Sequence, residues 1–119
     1  MSVAVAKIGT VVINVSDVEV EKAFWSALLG TGIRNEFPGF CWFEPQHPGG
    51  VMLALQASPE PGGLSGRVHL DAQVDDVAEA RTAVEALGGT FVEEHEAAGF
   101  RWAIMADPEG TRFCIASGH

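Results

Sequence analysis

The sequence predicts an α+β fold made of two βαβββ modules. Three observations predict it: an internal repeat, a strand-to-helix switch at the head of each copy, and three short extended runs after each helix. Thr10 to Gly30 reads TVVINVSDVEVEKAFWSALLG and His69 to Gly89 reads HLDAQVDDVAEARTAVEALGG. At a constant offset of 59, Val15 meets Val74, Asp17 meets Asp76, Val18 meets Val77, Leu28 meets Leu87 and Gly30 meets Gly89. A repeat of this kind fixes architecture, because each copy is one supersecondary unit.

Each copy opens as a strand. Residues 8–15 and 67–74 are rich in Val and Ile or alternate apolar with polar, the period of a pleated chain. Helical spacing follows. Ser16 with Glu19, and Asp76 with Glu79, have the form of a capping box, in which a side-chain oxygen takes the first free amide hydrogens. Val20, Phe24 and Leu28 form one apolar stripe, and Val77, Ala80, Val84 and Leu87 form the other. Gly30 and the Gly88-Gly89 pair supply helix stops. Extended runs are expected at about 33–37, 40–44 and 51–57 in the first half and at about 90–94, 100–106 and 111–116 in the second. Turns at Pro38-Gly39 and Pro48-Gly49-Gly50 separate the first set. Asp107-Pro108-Glu109-Gly110 has the residue order of a type I turn. Ser58-Pro59-Glu60-Pro61-Gly62-Gly63 is too rich in helix and strand breakers for regular structure. The chain is thus read as one domain over 1–119, with module 1 at about 7–57, a linker at about 58–66 and module 2 at about 67–117.

Composition narrows the partners. A chain of 119 residues suits one small domain. Seven basic against sixteen acidic side chains, a formal charge of −9, argue against nucleic acid and anionic membranes, both of which need basic patches. No apolar run approaches the ~20 residues of a membrane-spanning helix. The opening Met1 to Lys7 lacks a signal-peptide pattern, so a cytoplasmic protein is expected. Cys41 and Cys114 are too few for a disulfide scaffold and suit a reducing compartment. Asn14-Val15-Ser16 matches a glycosylation acceptor by chance.

The phrases VVINVSDVEVEKAFWSALLG, RVHLDAQVDDVAEA and MADPEGTRFCI, in this order, resemble the glyoxalase / bleomycin-resistance / extradiol-dioxygenase superfamily, the vicinal oxygen chelate proteins, over roughly residues 8 to 116. The resemblance implies a mixed β-sheet curled into a cup with the helices outside. It further implies four inward-facing positions able to hold a divalent metal, which fall on Thr10, Gln56, His69 and Cys114. Only His69 among them is a strong ligand, Gln56 is a weak oxygen donor, and none is a carboxylate, whereas a catalytic divalent site wants about three matched ligands and an open position. No metal or other cofactor is therefore expected. Family members commonly form homodimers, and the same is expected here.

Several side chains are candidates for ligand contact. His69 is the candidate catalytic group, as a donor or base toward a bound molecule; its bland alternative is a partly buried His bonded to Asp71. Asn14, Asp71 and Gln73 share inward parity with Thr10 and His69, and several polar groups on one face favour a wet cavity over packed core. Trp42 and Trp102 occupy equivalent strands and flank the expected cup; Trp25, Phe40, Phe43 and Phe100 complete an aromatic load that otherwise reads as core. Arg101 and Arg112 can attract an anion or pair with nearby Glu. Glu93-Glu94-His95-Glu96 reads as a solvated loop, since it lacks the i, i+4 His spacing of a helical metal motif. His47 is expected to be exposed, and His119 is terminal. Three functions follow: a small-molecule-binding member of the family with a degenerate metal site; a metal-dependent lyase, isomerase or dioxygenase; or a metal-free acid–base enzyme using His69 with Asp71, with a purely structural interaction module beside it.

Overall fold

The computed structural model describes residues 4–62, 66–97 and 99–117. Module 1 contains β1 (Lys7–Val15), α1 (Val18–Leu29), β2 (Ile33–Phe37), β3 (Phe40–Phe43) and β4 (Met52–Ala57); module 2 contains β5 (Val68–Gln73), α2 (Val77–Ala86), β6 (Thr90–Ala97), β7 (Phe100–Ala106) and β8 (Arg112–Ser117). Residues 63–65 of the expected linker, and His119, lie outside the described residues.

The two modules share one topology. Strand order is β2-β3-β4-β1 in the first and β5-β8-β7-β6 in the second. The opening and closing strands pair in parallel in both, Asn14 with Gln56 and Asp71 with Cys114, while the remaining pairs are antiparallel. A parallel pair cannot be closed by a hairpin, and the helix and two intervening strands supply the crossover. The predicted α+β class with βαβββ modules is the observed one. By contacts the chain divides into Gly9–His69 and a unit running from Leu70 onward with the residues before Gly9, so the division falls inside β5.

Local chemistry explains most boundaries. The Asp76 carboxylate accepts the Glu79 amide hydrogen at 2.9 Å and caps α2 as predicted. The first cap is one residue later than predicted: Asp17, not Ser16, accepts from Val20 N at 3.1 Å. Gly30 closes α1 in the left-handed conformation, φ 68°, with its N–H on Ser26 O. At the end of α2 that conformation falls to Gly88, whereas Gly89 is required by space. A Cβ there would stand 2.5 Å from Val84 Cγ1 and 2.9 Å from the Ala106 carbonyl oxygen. Asp107 Oδ1 accepts from Glu109 N and Thr111 N, and Gly110 N donates to Asp107 O at 2.9 Å, building the predicted turn between β7 and β8.

Each helix covers one face of its own module's strands. In module 2, Val77 and Ala80 of α2 join Ala72, Ala103, Met105 and Ile115 in an apolar core. In module 1, Val18 and Trp25 of α1 pack on Val15, Cys41, Phe43 and Leu55. The Val20–Phe24–Leu28 stripe is not the buried face of α1: these residues are 60%, 55% and 63% exposed, and no residue of α1 is fully buried. The apolar period identifies the helix but not the side that meets the sheet. Among the described residues no helix is long and apolar enough to cross a membrane.

Candidate functional site

Because side chains alternate along a strand, the face opposite each helix can be read from the register. In module 1 it carries Thr10, Val12 and Asn14 of β1, Ala54 and Gln56 of β4, Phe40 and Trp42 of β3, and Phe37 of β2. In module 2 it carries His69, Asp71 and Gln73 of β5, Arg112 and Cys114 of β8, Trp102 and Ile104 of β7, and Glu93 and His95 of β6. Among the described residues the buried polar ones, Thr10, Asn14 and His69, all belong to these helix-free faces.

The module 1 face is neutral. Trp42 stacks on Phe40, ring centres 5.8 Å apart at 12°, and meets Phe37 edge-on at 5.8 Å. Asn14, predicted to meet a ligand, donates its side-chain amide to Gly66 O, while its backbone N–H donates to Arg67 O. That pair of bonds ties β1 to the chain entering module 2. Gln56 is half-buried beside it. On the helix side of module 1 lies a separate cleft of about 260 Å³ lined by Trp25, Leu29, Phe43 and Leu53, with Glu44 and Gln46 at its polar edge. Its lining holds no His, Cys or basic side chain, so the reactive groups are elsewhere.

The module 2 face is ionisable. His69, Asp71 and Cys114 each bring a donor atom within 4.8 Å of the other two. Local backbone geometry sets this spacing, since His69 and Asp71 are two residues apart on one strand and Asp71 is the register partner of Cys114. His69 and Cys114 are 5% and 4% exposed. Burial lowers the pKa of the His69 imidazole. Burial also pushes the Asp71 carboxyl up to about 7, against a hydrogen bond from Cys114 that pulls it down. The Cys114 thiol is raised, first by burial and then by the charge and hydrogen bond of Asp71. Burial thus works against the charged form of all three groups. Arg112 lies two residues before Cys114 on the same face, and its Nη1 is buried with no hydrogen-bond partner among the described residues.

The remaining candidates separate cleanly. Gln73 shares the face but is exposed at the end of β5. Arg101 is exposed and pairs with Glu96 at 3.6 Å, its surface alternative. His47 is exposed as expected. The Glu93–Glu96 run is not a loop but the middle of β6. His95 Nε2 lies 2.6 Å from Glu93 Oε2, and its ring stacks on Trp102 with centres 5.4 Å apart. Acidic density hides this strand, along with a register shift between Phe91 and Glu93. The usable signal is parity: Glu93 and His95 are two apart, like His69 and Asp71.

The four positions inferred for a divalent metal do not fit one. Thr10 offers a neutral hydroxyl and Gln56 a weak amide oxygen, so among the four only His69 and Cys114 are strong donors and no carboxylate is present. The donors that converge are a different set, in which Asp71 joins His69 and Cys114.

A chain of two βαβββ modules, each with one core-forming and one polar face, defines a small repeat-built α+β domain. This chain belongs to the glyoxalase-like domain family, whose model matches residues 10–116. No curated protein sequence matches it significantly. Among solved structures it is similar to methylmalonyl-CoA epimerase from Mycobacterium tuberculosis, with TM-score 0.76 and 16% identity, covering 100% of this chain and 93% of that one. It is also similar to a glyoxalase/bleomycin resistance protein/dioxygenase superfamily member from Vibrio splendidus 12B01, at TM-score 0.61 and 20% identity over 95% and 99% of the two chains. The Mn(II)-bound glyoxalase from Novosphingobium aromaticivorans matches at TM-score 0.62 and 24% identity, over 95% of this chain but 39% of its own. At these identities the likeness is one of fold.

Proposed function

We propose that this protein binds a small organic molecule bearing a carboxylate or similar oxyanion against the helix-free face of module 2, without the family's four-residue metal chelate. The observation that carries this reading is Arg112. A guanidinium nitrogen buried with no acceptor costs on the order of 1–3 kcal/mol, which an anionic oxygen of a ligand would recover through a charge-assisted bond. His69 and Asp71 supply further donors on the same face, and Trp102 supplies flat apolar surface. Arg112 can bind a carboxylate in two-pronged fashion; a lysine cannot. The test is thermal-shift and ligand-observed NMR screening of small carboxylic acids against their amide analogues, with Arg112→Gln in parallel. Acids that stabilise the wild type and lose that effect in the variant support the assignment. Equal responses to acids and amides would sink it.

We also propose a homodimer, supported by the exposed Val20–Phe24–Leu28 stripe, since apolar surface of this kind marks contact sites. A monomeric mass in solution at micromolar concentration counts against it.

A further inference from the structure

We infer that the cleft on the helix side of module 1 binds a small organic cation, an ammonium group carried on a single ring or a short alkyl chain. This goes beyond the oxyanion reading. The module is the other one, the face is the helix-covered one, and the charge selected has the opposite sign.

Shape comes first. The cleft measures about 260 Å³ and is walled by Trp25 and Leu29 of α1, Phe43 of β3 and Leu53 of β4. That is just under the roughly 300–1,000 Å³ of sites for drug-sized molecules, so it suits a fragment with one ring. The helix leaves this space open: α1 has no fully buried residue, whereas α2 buries Val77 and Ala80. The indole of Trp25 is held from two sides. Its Nε1 donates to Glu21 Oε1 at 3.2 Å, and the Phe24 ring meets it edge-on with centres 5.2 Å apart. An indole face is the best side-chain platform for a cation–π contact. Trp25 and Leu29 stand one residue beyond Phe24 and Leu28, about 100° further round the helix, so the cleft and the exposed apolar stripe occupy different sides of α1.

Hydrogen-bonding capacity selects the ligand. Glu44 and Gln46 form the polar edge. The Glu44 carboxylate only accepts. The Gln46 amide nitrogen is engaged on Leu29 O at 3.3 Å, and its carbonyl oxygen is a further acceptor. The indole donor in the wall is engaged on Glu21. An ammonium, with its several N–H donors, can use such an edge; a carboxylate cannot.

Charge points the same way. Glu44 pairs with Arg34 at 3.4 Å, but both side chains are about half exposed, and surface pairs of this kind hold weakly enough for a ligand cation to share the carboxylate. The last turn of α1, which ends at Leu29 beside the cleft, carries no basic residue to offset the negative end of the helix dipole. The whole chain carries −9, which attracts cations and repels anions.

The test uses the full chain and three probes of one shape: benzylammonium, benzyl alcohol and benzoate. Each is titrated while the indole N–H resonance of Trp25, identified with Trp25→Phe, is followed by two-dimensional NMR. Benzylammonium should move that resonance saturably and bind about tenfold tighter than benzyl alcohol, since a rim ion pair and one cation–π contact are each worth about threefold to fivefold. Benzoate should leave it unmoved. Glu44→Gln should cut the preference for the cation to about threefold, the share of the indole face alone. Val51→Trp, at a lining position that is 52% exposed, should block the cleft to every probe without disturbing the core. Equal affinities for benzylammonium and benzyl alcohol overturn the inference, as does a Trp25 resonance that no probe moves or that benzoate moves equally. A preference unchanged in Glu44→Gln, or binding unchanged in Val51→Trp, places the cation elsewhere and overturns it too. The oxyanion reading is decided separately by the acid-against-amide screen, so either proposal can fail alone.

Discussion

Modules 1 and 2 have the same strand order, the same parallel closing pair and the same repeat offset, yet their helix-free faces carry different chemistry. Module 1 presents Thr10, Asn14, Gln56 and an aromatic trio; module 2 presents His69, Asp71, Arg112 and Cys114. The helix-covered faces barely differ, since both need apolar side chains at alternating positions to bury a helix. Packing therefore preserves the repeat on one side of the sheet and leaves the other side free to diverge. In this chain the ionisable groups have collected on the second copy.

The largest effect that sharpens this contrast is expected at Asp71, which module 1 answers with Val12 at the same offset of 59. A carboxyl raised from 3.8 to about 7 in the folded protein binds its proton more tightly folded than unfolded. The sign is opposite to that of a salt-bridged Asp. Its contribution is fully present below the unfolded value and is lost as pH rises through about 7. The difference amounts to on the order of 4 kcal/mol across that window. Asp71→Asn, locked neutral, should match wild type in denaturant melts near pH 3.5 and exceed it at pH 8. Parallel pH profiles for the two proteins would show that Asp71 ionises normally and that module 2's face is wetter than its burial implies.

A second contrast lies at Gly30 and Gly89, which occupy equivalent places in the repeat for different reasons. Gly30 needs a left-handed backbone but has open space around its missing Cβ. Gly89 has ordinary freedom but no room, with Val84 and the Ala106 carbonyl against it. Gly89→Ala should cost about 2–3 kcal/mol, as overpacking against backbone does, and Gly30→Ala about 1 kcal/mol. Chemical denaturation of both variants decides the order, and a larger loss at Gly30 would mean the α2–β7 contact yields easily.

How much of this is legible in the sequence follows from the range of the forces involved. Strand, helix and turn positions are local, and the offset of 59 exposes them twice over. Side-chain parity on β5 and β8 is equally local: His69 and Asp71 share one parity, Arg112 and Cys114 another, and residue order alone conveys both. Which face of α1 meets the sheet is not local: Val20, Phe24 and Leu28 satisfy the helical period, yet Val18 and Trp25 make the core. The Asn14 amide bond to Gly66 spans 52 residues, and no pattern near Asn14 announces it. The strand through Glu93–Glu96 escapes a sequence reading because its charges imitate a loop, although pairing with β7 and the His95–Trp102 stack hold it.

The smallest expected effect tests the repeat at its most local point. Sequence pattern suggests Ser16 as the first cap, but the repeat itself pairs Asp17 with Asp76, and the structure caps both helices with those aspartates. The reason is positional: a cap side chain must reach the amide three residues on, and Asp17 Oδ1 does so at Val20 while Ser16 stands one residue too early. Asp17→Ala and Asp76→Ala should each cost about 1 kcal/mol, because each orphans a first-turn amide and removes a negative charge from a helix N-terminus. Ser16→Ala should fall within about 0.5 kcal/mol of wild type. Thermal melts of the three variants are sufficient. A Ser16 loss equal to that at Asp17 would mean the two residues share the cap in solution, and the equivalence of the two helix starts would fail at the position where the repeat defines it most closely.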